Sequence, residues 1–496
     1  MRVQRALARE RAVAVRVAPG ASRWTSPPGC GLLGGCETLP MKPTPRGEPL
    51  PVWTKVVYAL GDVSSNTVLA TLSLVFTSYF LVEVAGLRPL YAGLVPLIGR
   101  LVDAVTDPLM GRISDHTTWS WGRRRPYFLI GAVPMGALFA LMWWTPESLG
   151  ELGRLAYYTV AYSALMCALT VISVPYLSLQ PEMALDYDER TSLNAFRSVG
   201  SVLGVILALS LRPLVELAGG GAAGFAKVGA LLGVALALPW LAVYQATFER
   251  LEFRRPVSEV TFPQALRACL RQRAFRRLVG LYLWGRVAID LTGVMLVLYF
   301  THWIGRSGDF ELMMLIFMLS GVAVLPLWIR VSRRVDKASA FIAGARWWML
   351  GLCGMLFVQP DWPRWVLMAF APVVAAGYAA VDLMPWAMLG EIADEDELAS
   401  DERREGIYNG LFTFLRKLAG ALAVFAALSI LDVAGLQPGG AQSDATLWAI
   451  RLLTSLAPAL CLVFAVAWAR GYPLTRARHE AVVAELLAIR VTRESA

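Results

Sequence analysis

Apolar residues run through this chain in long blocks, parted by short polar stretches rich in arginine, glycine and proline. Leu138 to Trp144, Val228 to Tyr244 and Leu456 to Trp468 lie inside windows almost free of charge. Each window is about twenty residues long, the length that a helix needs to cross the hydrocarbon core of a bilayer. The pattern predicts an all-α membrane protein with about twelve spans, near residues 54–82, 90–111, 126–145, 155–180, 193–217, 225–247, 276–303, 311–331, 338–358, 363–390, 405–431 and 445–470. The segment 248–275 is the longest and most charged internal break. It separates a six-helix bundle at 51–247 from another at 276–470. A basic extension (1–50) precedes them and a tail (471–496) follows.

The two bundles echo each other. The first span opens on Tyr58-Ala59-Leu60-Gly61 and the seventh on Tyr282-Leu283-Trp284-Gly285. The fourth ends in Pro175-Tyr176 and leads to Asp188-Glu189-Arg190. The tenth ends in Pro385-Trp386 and leads to Asp401-Glu402-Arg403. Matching signals in matching order, in six-helix blocks of like orientation, indicate a parallel repeat about an axis along the membrane normal.

Composition agrees with lipid as the solvent. The chain of 496 residues is 56% hydrophobic and only 17% charged, with a mean hydropathy of +0.53. A soluble protein carries about a quarter charged residues. The net charge of +9 is not a nucleic-acid footprint, because the basic residues gather in alternate loops. Arg112 and Arg123 to Arg125 stand in one, Arg250 to Arg277 in another, Arg330 to Lys337 in a third and Arg476 to Arg493 in the tail, while intervening loops hold one or two each. The positive-inside rule then puts both termini and the central loop in the cytoplasm of a cell with the protein in its inner (plasma) membrane. The Arg-rich residues 1–40 read as a disordered tail or as sequence upstream of a start at Met41, with an organellar transit peptide as the competing reading. The six cysteines are scattered and read as small apolar packers. His116, His302 and His479 form no metal-ligand cluster and no nucleophile motif is present, so a membrane-embedded enzyme is not expected.

The second span carries the sharpest chemistry. It reads Gly99-Arg100-Leu101-Val102-Asp103-Ala104-Val105-Thr106-Asp107-Pro108. Asp103 and Asp107 are one turn apart on one helix face, with Arg100 one turn back. Two carboxylates in an apolar medium repel and need a cation or a proton between them. Thr106 would add a hydroxyl oxygen for a monovalent cation. A structural Arg–Asp pair is the bland alternative. Aligned on Pro108 and Pro326, the eighth span offers Gly321 and Leu325 in place of the two acids, so the cation site belongs to the first half.

The run Asp103-Ala104-Val105-Thr106-Asp107-Pro108-Leu109-Met110-Gly111, then Ser114-Asp115 and Gly122-Arg123-Arg124-Arg125-Pro126, resembles the glycoside-pentoside-hexuronide:cation symporters, the melibiose-permease branch of the major facilitator superfamily. Gly61-Asp62 with Asn66, Pro175-Tyr176, and Glu405-Gly406 with Lys417 are similar to that family too, and the resemblance covers about residues 50–470. It implies the major facilitator fold and cation-coupled sugar uptake. The family's cation-site aspartates fall on Asp103 and Asp107, the polar residue between them on Thr106, and a threonine of the fourth helix on Thr170. Its coupling lysine falls on Lys417 and its sugar-binding arginine on Arg197. The family's sugar-binding acids fall on Asn66 and Ser173, which are not acids. Galactoside recognition is therefore not carried over, and a different glycoside or an amphipathic solute such as the lysolipids carried by relatives of the branch is the alternative.

Asp62, Arg286, Asp290 and Asp382 also fall within predicted spans, where they either line a central cavity or bridge in pairs. Arg416 is expected to snorkel. Among the cytoplasmic charges, Glu391, Asp394, Glu395, Asp396 and Glu397 follow the tenth span, opposite Asp115, Arg123, Arg124 and Arg190 of the first half. An inner gate locking the halves is the functional reading and a solvated charge run the bland one. Trp143-Trp144 and Trp347-Trp348 read as interfacial or packing residues. The expectation is a monomeric secondary transporter that needs no cofactor beyond its coupling ion, sodium or proton, and takes a small solute, a sugar or glycoside. A non-transporting membrane sensor is the rival outside transport.

Overall fold

The computed structural model describes residues 49–184, 187–250, 269, 271–400 and 405–495. The basic extension and most of the central loop, with Asp401-Glu402-Arg403, lie outside the described residues. All described elements are helical. The first span is Val52–Val84, the second Pro89–His116, the third Pro126–Met142, the fourth Glu151–Met183, and the fifth Tyr187–Leu209 continued by Leu211–Leu217. The sixth is Gly221–Ala246, the seventh Arg273–Trp303, the eighth Asp309–Ser332, the ninth Lys337–Met355, the tenth Arg364–Ser400 and the eleventh Glu405–Val433. The twelfth is Asp444–Thr454 with Leu456–Ala469, and Arg476–Ser495 adds a helix to the tail. Ten of these are long and apolar enough to cross a membrane.

The tenth helix continues well beyond residue 390, so the acidic run occupies its last turns rather than a loop. Nothing in Glu391–Leu398 breaks a helix: Glu, Ala and Leu are all good formers.

Packing is by close helix contact at small residues, as lipid gives no hydrophobic drive between helices. The Cβ that Gly200 lacks would lie 2.5 Å from the Ala59 carbonyl, and that of Gly204 2.6 Å from the Val63 carbonyl, so the first and fifth spans touch backbone to backbone. Gly93 does the same for the second span against Phe425 of the eleventh, bringing the halves together. Trp143 is fully buried, its ring within 5.5 Å of Phe76, Phe80 and Phe225, a packing residue as expected. The outside is the inverse of a water-soluble surface, with Val133, Leu152, Val160, Leu231 and Val234 all exposed. The first and seventh spans both end in π-helical stretches, Leu72–Val84 and Tyr299–Trp303.

Candidate transport site

Asp103 is buried and Asp107 half-buried on the second span, and both carboxylates converge on two groups from other helices. Lys417 of the eleventh span donates to Asp103 Oδ2 at 2.7 Å and to Asp107 Oδ2 at 2.5 Å. The Thr170 hydroxyl of the fourth lies 2.9 Å from Asp103 Oδ1 and 2.8 Å from Asp107 Oδ1, its single proton serving one or the other. Arg100 stands 3.5 Å from Asp103. The ammonium thus sits where the repelling acids need a positive charge, and it ties the two halves together at mid-membrane. Thr106 is not brought to this knot: its hydroxyl turns back to the Asp103 carbonyl at 3.4 Å.

Beside the knot lies a cavity of about 350 Å³ between the halves. That is at the lower end of the range for small-molecule pockets. Arg100, Arg286, Asp290, Arg416 and Lys417 supply its charges, and its walls are largely apolar, with Met313, Met314, Phe317, Met318 and Trp348. Arg286 holds Asp290 in a two-pronged pair at 2.8 and 2.5 Å. Arg416 does not snorkel; it faces this cavity. Trp348 also faces it, while its neighbour Trp347 is exposed.

The residues assigned to the solute by resemblance form a different cluster. Arg197 donates to both oxygens of Asp62, at 2.8 and 3.0 Å, and also to Gln180. The Tyr176 hydroxyl lies 2.6 Å from Asp62 Oδ2. Asn66 donates to Ser201 and to the Asp62 carbonyl. Ser173 is half-buried, with no side-chain hydrogen bond among the described residues. None of Asp62, Asn66, Ser173 and Arg197 lines the cavity; nor does Asp382. Of the four intramembrane charges expected to line it, Arg286 and Asp290 do so.

A family profile described as MFS/sugar transport protein matches residues 57–476. The chain belongs to this family of the major facilitator superfamily. It is therefore a multi-pass membrane transporter, not an enzyme. An uncharacterized symporter of Synechocystis sp. is 28% identical over 89% of this chain and 97% of its own length. A glucuronide carrier protein homolog of Escherichia coli is 26% identical over 88% and 95%. A sodium-dependent lysophosphatidylcholine symporter of Danio rerio is 24% identical over 88% of each. Among solved structures, the nucleoside transporter NupG superposes with a TM-score of 0.62 at 14% identity, covering 85% of this chain and 100% of that one. A D-xylose–proton symporter superposes at 0.60 and 15%, covering 83% and 97%.

In this transporter the charges expected to gate the face bearing the termini pair within their own halves. Arg124 bonds Asp115 at 2.7 Å, and Arg123 and Arg124 share Glu182. Arg190 donates to the Ala184 carbonyl. Glu391 takes Lys337 at 2.8 Å and Asp394 takes His479 at 3.1 Å; Glu397 stands in the same last turns of the tenth helix. Glu249, which the sequence did not single out, accepts the backbone N–H groups of Arg123, Arg124 and Arg125. It reaches them because Gly122, at φ +120°, has no Cβ in its way.

On the opposite face the halves are bonded to each other. Arg88 pairs with Asp432 at 2.8 Å, Glu83 with His302 at 2.8 Å and Arg212 with Glu311 at 2.8 Å, while the Gly439 amide donates to Glu83. Each pair joins residues more than two hundred positions apart except Arg212–Glu311, so no local pattern announces it. Glu83 and His302 both stand in the π-helical span ends.

Proposed function

We propose that the protein is a cation-coupled symporter, working by alternating access, with Asp103 and Asp107 as its ion site. The observation that carries this reading is the Lys417 bridge across the two carboxylates. The acids belong to the first half and the lysine to the second. A sodium ion or a proton arriving at the acids replaces the ammonium, and the mid-membrane tie between the halves is released. Ion binding and the rocking of the halves are thereby one event. Sodium is favoured over the proton because the Thr170 oxygen stands ready beside both acids, and a proton needs no such oxygen. The relative named a sodium-dependent symporter supports the same choice.

With both termini in the cytoplasm, the bonded face is the outer one, and the arrangement described is closed outside. Entry of one net positive charge down about 100 mV supplies about 2.3 kcal/mol, enough for roughly fiftyfold accumulation of a solute without net charge; a singly charged anion is driven by the concentration gradient of the ion alone. The solute is a part-apolar small molecule. A cavity walled by methionine and aromatic residues offers a simple sugar few hydroxyl partners. It suits a lysolipid or a glycoside with an apolar aglycone, the kinds of solute that the relatives' names bracket.

The test is uptake into proteoliposomes of radiolabelled lysophosphatidylcholine and of 4-nitrophenyl glucuronide, under an imposed sodium or pH gradient. Asp103→Asn and Asp107→Asn should each reduce gradient-driven accumulation to the level of equilibration. Accumulation that persists in the double variant sinks the assignment and moves coupling to Asp290. A chain that moves neither solute under any gradient would support the sensor reading instead.

A further inference from the structure

Among the described residues, the cations that line the cavity or clamp its neighbourhood each have an acid against them, Arg416 excepted. Arg197 has Asp62, Arg286 has Asp290, Lys417 has Asp103 and Asp107, and Arg100 leans on Asp103. Arg416 has no ion pair, hydrogen bond or ring contact among the described residues, and its Nε is buried without a partner. The charges that act on it are Arg286 and Arg100, which repel it, and Asp290, whose two oxygens are already held by Arg286. Asp382 stands near Arg286, Tyr282 and Tyr378 and forms no ion pair with Arg416 among the described residues. An isolated guanidinium in this medium is expensive, so a residue retained in that state marks a site that something else completes.

We propose that Arg416 binds the anionic head of the solute, and that the solute is an amphipathic anion: a carboxylate, phosphate or sulfate on the guanidinium, and an apolar body against Met313, Met318 and Phe317 of the same cavity. This rests on the symport reading only in taking the cavity as the solute site. The planar fork matches two oxygens of such a head at once, which an ammonium cannot do. Methionine side chains yield to apolar bodies of varied outline. The head charge of the solute, rather than its hydroxyls, then decides entry. The glycoside and lysolipid readings meet here, since a glucuronide and a lysophospholipid both present an anion beside an apolar portion.

The experiment uses the full chain in phosphatidylcholine nanodiscs, with two labelled probes that differ at one carbon: octyl glucuronide, a carboxylate, and octyl glucoside, its neutral counterpart. Binding to empty nanodiscs is subtracted. The wild type should bind the glucuronide at least tenfold more tightly. Arg416→Gln should bring the two within about twofold, and Arg416→Lys should keep part of the preference. A wild type without preference, or an Arg416→Gln protein that keeps it in full, overturns the proposal. So does loss of the preference in Arg197→Gln with Arg416→Gln unaffected, which would seat the head on the other cluster. Competition in the wild type settles the matter even where a variant fails to fold. Octyl sulfate should displace the bound glucuronide and octyltrimethylammonium should not; equal displacement overturns the assignment. Uptake that ignores ion gradients while the preference stands would count against symport and leave the anion site intact.

Discussion

Asp62 and Arg286 hold the same place in the two halves, counted from Tyr58 and Gly61 in the first span and Tyr282 and Gly285 in the seventh. In the first half this position is an acid, and it receives Arg197 across the interface between the first and fifth spans. In the second half it is a base, and it receives Asp290 from one turn further along its own helix. Counted from Asp188-Glu189-Arg190 and Asp401-Glu402-Arg403, the counterpart of Arg197 is Gly410. Among the described residues the second half therefore has no clamp between helices at this level, and its eleventh span brings Arg416 to the cavity unpaired. One half spends its buried charge on holding itself together. The other keeps a cation for the solute. Repeat symmetry fixes where polar residues stand, and their sign decides whether they close or stay open.

The largest expected effect is on the closed side. Arg197→Leu leaves the Asp62 carboxylate with only the tyrosine hydroxyl beside it. Breaking a buried pair by removing one partner costs about 3–5 kcal/mol, the lower end applying here because Arg197 keeps some exposure. The double change Arg197→Leu with Asp62→Asn should restore most of that loss, since no charge is left stranded. Thermal unfolding in nanodiscs measures both. A single variant as stable as wild type would mean that the first half is not closed by this pair, and that Arg197 is available to a solute after all.

Gly420→Ala should have an intermediate effect, felt by the Arg286–Asp290 pair of the second half. A Cβ at Gly420 would stand 2.1 Å from Asp290 Oδ2, so the carboxylate must leave its seat. Overpacking of this kind costs about 1–3 kcal/mol. It also frees Arg286, and the cavity then holds two open cations. Affinity for octyl glucuronide should rise relative to octyl glucoside in the same nanodisc assay. A fall in that ratio would show that the Arg286–Asp290 pair itself contacts the head.

Much of this was legible in the sequence, and the illegible part has a common cause. Span positions follow from apolar length, and the acid pair from its spacing on one turn; both needed only neighbours along the chain. Thr170 and Lys417 joined the pair through a family resemblance, not through spacing. Asp62 and Arg197 were visible as charges in spans, yet nothing local says that each consumes the other, because their meeting depends on the close approach of the first and fifth helices at Gly200 and Gly204. The same holds for Glu83 with His302 and Arg212 with Glu311, which meet only because the halves are closed on that face. Arg416 is the reverse case. Its sequence signal is an arginine in an apolar span, and only a full account of the surrounding acids reveals that none pairs with it among the described residues.

The smallest expected effect is on the open side, and its sign is the informative part. Arg416→Met keeps a long, flexible side chain and removes the charge. Were Arg416 structural, as Arg197 is, the change would strand a partner and stability would fall by several kcal/mol. With no partner among the described residues, nothing is stranded. The variant also relieves the repulsion from Arg286 and Arg100 and makes the cavity wall more apolar. Stability without solute should therefore stay level or rise by up to about 1 kcal/mol, as is common when a functional site gives up an unfavourable group. The thermal midpoint of the wild type, but not of Arg416→Met, should climb on adding octyl glucuronide, because a ligand stabilises only the protein that binds it. A midpoint that drops in the variant without any solute would place Arg416 among the closed pairs and erase the difference between the halves.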